Sequence, residues 1–160
     1  MAVDIFLKLD GVKGEAQDFV HKGEMDVLSW SWGMSQSATT HAGGGGGSGK
    51  VSVHDISITK PVDAASPTLQ LFCFNGKHVA NGTLTVRKAG ENPLEYLKID
   101  MEEIIISSIS IGGSAGQDVL TENVSLNFRK VHTTYTPQTA TGTGDVAKEA
   151  KWNIAENKEE

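Results

Sequence analysis

The sequence predicts an all-β domain, a barrel or sandwich, with one short α-helix attached and an extended glycine-rich loop. Three observations carry that prediction. At least six segments alternate apolar and polar residues with period two, the period of a strand with one buried face. A single segment, Ser66 to Gly76, has helical spacing and helical end signals. Five consecutive glycines, Gly43–Gly47, separate two alternating segments and suit a mobile loop. With 160 residues the chain is large enough for one real core, read as a single domain over 1–155 with a charged tail at 156–160.

The elements follow in order. Val3, Ile5, Leu7 and Leu9 share one side of a first strand, with Phe6 opposite. From Met25 on, Leu28, Trp30, Trp32 and Met34 fall on one face, and Val27, Ser29, Ser31 and Ser35 on the other, giving a strand with one heavy apolar face and one small hydroxylated face. Lys50 to Thr59 is a strand whose phase slips at His54–Asp55, which implies a β-bulge or burial on both faces. Ser66–Pro67 reads as an N-cap followed by proline in the first turn, Leu69, Phe72 and Cys73 form a helical stripe, and Gly76 is the stop. Thr83 to Lys88 is a short strand. Leu94 to Ile111 is a long one, with Ile104–Ile106 apolar on both faces, either beneath the helix or at a subunit interface. In Val119 to Tyr135, Val124, Leu126 and Phe128 oppose Asn123, Ser125 and Asn127. A Thr/Gly-rich loop, 138–147, leads to a short closing strand with Trp152 and Ile154, and the tail is expected to fray.

Composition narrows the function. A net charge of −6 disfavours nucleic acid, which needs clustered Lys and Arg. No apolar run is long enough to span a membrane, and MAVDIFLKLDG reads as a first strand rather than a signal peptide. The lone Cys73 has no internal disulfide partner and reads as a buried structural thiol. GGGGSGKV, Gly44 to Val51, imitates a phosphate-binding loop, but Val51 stands where a Ser or Thr must reach Mg²⁺ and a strand follows instead of a helix. The five histidines lack metal-site spacing, and His54–Asp55 and Glu102–Glu103 point to opposite faces of their strands. No catalytic constellation, cofactor site or metal site is read from these residues; the chain is expected not to be an enzyme.

DVLSWSWGMSQS, GGGGGSGKVSVHDISITK, GKHV, TVRKAGEN and LTENVSLNF occur in this order along the chain. With these motifs the chain resembles the haemolysin-coregulated protein (Hcp) family, the inner-tube subunits of the bacterial type VI secretion system, over essentially its whole length. The resemblance implies a small β-barrel of two sheets with a flanking helix, and six copies closing into a homohexameric ring with a wide pore. It further implies rings stacked into a tube, small secreted effectors held in the pore by a chaperone and receptor activity, and spike and sheath components as partners. Such a protein is cytoplasmic before firing and then secreted without a cleaved signal peptide. Ending at Glu160, the chain is expected to be a plain tube subunit without an appended toxin domain. A ring of six at −6 each carries −36, so stacking must bring apolar or oppositely charged loops together.

Two sets of residues become candidates. Ser29 and Ser31 would line the pore if their face turns inward in a ring; in a monomer they face plain solvent. Gly43, Gly44, Gly45, Gly46, Gly47, Ser48, Gly49 and Lys50 would form a ring-stacking loop, with Lys50 best able to pair with an acidic neighbour, or else a hairpin tip without contacts. The alternative function is a monomeric β-barrel module that binds a small apolar ligand.

Overall fold

The computed structural model describes residues 2–37 and 49–160. Its strands are β1 (Val3–Leu9), β2 (Met25–Asp26), β3 (Ser29–Ser31), β4 (Met34–Gln36), β5 (Val51–Val53), β6 (Ile56–Pro61), β7 (Val79–Lys88), β8 (Leu94–Gly112), β9 (Thr121–Tyr135), β10 (Lys148–Asn153) and β11 (Lys158–Glu159); the helix α1 is Ser66–Asn75. The mostly-β expectation with one short helix holds. All ladders are antiparallel, in the order β11-β10-β9-β8-β7-β1-β2, with β6 on β9 and β3 on β6; β4 and β5 form a separate two-stranded sheet. A closed barrel of two sheets is not what the described ladders form. They leave an open path between β2 and β3, because this short stretch changes partner: the Val27 N–H donates to Ile5 O and the next N–H, Leu28, to Thr59 O.

That exchange corrects the reading of the tryptophan strand. One strand becomes three, and the phase slips where the partner changes. Val27 is buried while Leu28 is 57% exposed; Trp30 and Trp32 are half-buried against the core, and Met34 is exposed. Trp32 meets Phe128 edge to face and donates its indole N–H to His54 O. The slip expected at His54–Asp55 is the break between β5 and β6. The remaining alternation is as expected: Leu7, Leu9, Ile56, Ile58, Leu84, Ile99, Ile104, Ile106, Val124 and Leu126 are all buried in one cluster. Gly76 closes α1 with φ of 65°, and Leu69 and Phe72 enter the core while the helix packs on β8. Ala65, not Ser66, sits at the N-cap. The tail does not fray: a turn at Asn157 returns Lys158–Glu159 to pair with Trp152 and Asn153.

The readings from Thr83 miss the first half of β7. Gly82 there is fixed by its neighbours: a Cβ would stand 2.6 Å from Leu9 Cδ2 and 2.7 Å from Ile104 Cδ1. Gly82→Ala is expected to overpack the core and cost about 1–3 kcal/mol, read as a lower urea midpoint; an unchanged midpoint would show that β7 shifts freely here.

Two ionic clusters lie inside this frame. Lys60 and Glu122 are both fully buried; Lys60 Nζ donates to Glu122 Oε1 (2.6 Å), Asp63 Oδ1 (2.8 Å) and Pro61 O (2.9 Å), and Ser66 Oγ donates to Glu122 Oε1 (2.7 Å). In the second cluster Arg87 grips Asp18 with both terminal guanidinium nitrogens and Asp4 with one, above the Phe6 ring. Phe6 stacks on buried His21, whose ring nitrogens face Glu24 and Glu95. This cluster pins the 10–24 segment to β1, β7 and β8.

Hydrogen bonding to Arg87, more than the opposing partial burial, holds the Asp18 carboxyl far below the usual carboxylate range. A lowered folded value means a contribution present in full above the unfolded carboxyl's titration, about pH 4, and lost as pH falls below it. Asp18→Asn is therefore expected to lower the urea midpoint at pH 7 and to leave a smaller difference from wild type at pH 3. Equal differences at both pH values would contradict the Arg87 clamp.

Candidate functional site

Residues of β3, β6, β9 and β8 line up across four adjacent strands in two polar rows. The first is Ser29, Thr59, Asn123 and Ser110; the second is Ser31, Ser57, Ser125 and Ser108. Between them the row Trp30, Ile58, Val124 and Ile109 turns to the core. The alternation is thus the same in all four strands, and it builds a broad face of small hydroxyls and amides about 15 Å wide. Ser29, Ser31, Ser57, Asn123, Ser108 and Ser110 are exposed; Thr59 and Ser125 are half-buried.

The groups bond sideways along the face. Thr59 Oγ1 donates to Asn123 Oδ1 (2.6 Å), and the Ser57 and Ser125 hydroxyls lie 3.4 Å apart. Beyond the second row, Asp55 accepts from Ser107 Oγ (2.6 Å) and Asn127 Nδ2 (2.9 Å). Ser107 stands where the β8–β9 register shifts, a bulge that re-aims its side chain. Ser57 and Ser125 face each other, Ser107 bonds the Asp55 carboxylate, and among the described residues no histidine is hydrogen-bonded to a serine of this face. The arrangement suits reversible hydrogen bonding with many partners.

Both serine candidates therefore lie opposite the apolar row, and the structure joins them to nine further polar residues. The signal for those was available, since Ser57, Thr59, Asn123, Ser125 and Asn127 also alternate with core residues. Which strands become neighbours was not. Of the loop candidates, Gly43–Gly47 and Ser48 lie outside the described residues. Gly49 lies so close to Ser37 that a Cβ would meet its backbone oxygen at 2.7 Å, and Lys50 is exposed. An apolar groove of about 460 Å³ opens between the β4–β5 hairpin and β9–β10, lined by Trp32, Met34, Val51, Val53, Val131 and Trp152. Sequence reasoning missed it because its walls come from distant segments.

Among the described residues no group of three or more His, Cys, Asp and Glu side chains is placed to hold a metal, and no helix is long and apolar enough to cross a membrane. The described residues build a mostly-β domain with one short helix and a four-strand face of hydroxyl and amide side chains, a surface shaped for contact. Comparison with known proteins makes this particular. A family model described as "Type VI secretion system effector, Hcp" matches residues 6–135. Protein hcp1 of Pseudomonas aeruginosa is 54% identical over 159 residues, 98% of each chain. The crystal structure of Hcp1 from Salmonella typhimurium is 41% identical and superposes with a TM-score of 0.82 over the whole of both chains. A structure described as a type six secretion system protein is 26% identical, with a TM-score of 0.93 over 99% of this chain and 100% of that one. The chain belongs to the Hcp family of type VI secretion proteins, a secreted, non-enzymatic family.

Proposed function

We propose that the protein is a type VI inner-tube subunit: six copies close into a ring, rings stack, and the hydroxyl face lines a pore that shelters small secreted effectors. The observation that carries this reading is the four-strand polar face around Ser29 and Ser31. A pore that accepts varied cargo needs groups that form and break hydrogen bonds readily, without a charge pattern that selects one partner. In this reading the Val27–Leu28 partner exchange is the seam at which the family's barrel closes. The loop from Gly43 to Lys50 reaches the neighbouring ring, and Lys50 supplies a cation against the −36 of a ring. Spike and sheath components meet the tube from outside, the protein being cytoplasmic before firing and exported afterwards.

Amine crosslinking of purified protein is expected to give a ladder that ends at six chains. A ladder ending at one or two chains would overturn the ring. The apolar groove between the hairpin and β9–β10 favours one second reading, a monomeric module for a small apolar ligand. Its volume falls in the range of ligand pockets. A monomer that retains a bound apolar molecule would support that reading instead.

A further inference from the structure

We propose that Asp55 is the charged anchor of the hydroxyl face and recognises cationic groups of polypeptide cargo, above all the arginine guanidinium. This rests on the reading of that face as the cargo contact. The ten hydroxyl and amide side chains around it are neutral, and Asp55 is the carboxylate among them; the next charges along β9 and β8, Arg129 and Glu103, pair with each other. Its carboxylate is already oriented: Ser107 Oγ donates to Oδ2 at 2.6 Å and Asn127 Nδ2 donates to Oδ1 at 2.9 Å.

A carboxylate has about four acceptor positions. Ser107 and Asn127 occupy one on each oxygen, which leaves one on each, the pattern a guanidinium fork meets with two parallel N–H bonds. No ion pair among the described residues uses Asp55; the Lys, Arg and His pairs run to other carboxylates. Asp55 is half-buried, so it is partly shielded from water yet reachable. Ser107 also lies 3.1 Å from Ser125 O, which ties the Asp55 site to the second polar row. Ser107 and Asn127 are thus positioning residues, and the β8 bulge places one of them.

The test uses a fluorescein-labelled hexapeptide containing two arginines, and the same peptide with neutral, nearly isosteric citrulline. Both are titrated by anisotropy at low salt against the full-length protein. Asp55→Asn is expected to weaken the arginine peptide about tenfold or more, the scale of a lost hydrogen bond to a charged group. It should leave citrulline-peptide binding unchanged. Ser107→Ala keeps the carboxylate and should weaken the arginine peptide less; it carries the test if Asp55→Asn does not fold. Glu91→Gln, an exposed acid away from this face, should bind like wild type. Equal losses for Glu91→Gln and Asp55→Asn, or no loss for Asp55→Asn, would overturn the proposal. Particle mass is measured on the same samples. A monomer with Asp55-dependent binding keeps the Asp55 site and sinks the pore; a ring without it does the reverse.

Discussion

Lys60→Met is expected to destabilise the fold by about 3–5 kcal/mol, the cost of leaving a buried charge without its partner. Glu122 would lose the Nζ contact at 2.6 Å while remaining fully buried, with only Ser66 Oγ still donating to it. Its second oxygen, Oε2, already has no partner. Asp63 would lose its cation as well. Domains of this kind have only about 5–15 kcal/mol in total, so the variant stands near the edge of folding. The double variant Lys60→Met/Glu122→Leu removes both charges and is expected to recover most of the loss, since an apolar replacement of similar volume can match a buried pair. Urea unfolding of the single and double variants measures this. A single variant within about 1 kcal/mol of wild type would mean that water reaches Glu122, as a surface pair would allow.

The second large effect concerns function. Ser31→Arg places a long cation in the polar rows; if six copies close a ring, six such side chains crowd the pore. Ring mass is expected to stay as in wild type, because Ser31 is exposed and its backbone pairing with Ser57 is unchanged. Affinity for a co-expressed small effector should fall at least about tenfold, some 1.4 kcal/mol, and its protection from proteolysis with it. Ser31→Gln, bulky but neutral, separates crowding from charge. Intact rings with undiminished effector protection in both variants would remove Ser31 from the pore.

The sequence showed those features that depend on neighbours along the chain. Alternation located β1, β8 and β9 almost to the residue, and the Pro67–Gly76 signals located α1 although its cap moved to Ala65. The tryptophan segment alternates like one strand, yet it breaks where its partner changes from Ile5 to Thr59, and local periodicity holds no record of that exchange. Lys60 looks like an ordinary strand-end charge; it is buried because Glu122, 62 residues away, comes to meet it. The same holds for the candidate site. Ser29 and Ser31 could be found from alternation, whereas their extension to Ser110 and Ser108 depends on the strand order β3-β6-β9-β8. His54 and Asp55 point apart, as neighbours in an extended chain do, and the side chains that bond Asp55 come from 52 and 72 residues away, at Ser107 and Asn127.

The most direct test of the tube reading is the mass and shape of the purified protein, by light scattering on a sizing column with negative-stain images of the peak. The account expects six times 17.0 kDa, about 102 kDa, and six-fold rings with a stain-filled hole. A compact particle of about 17.0 kDa that persists at high concentration would contradict it.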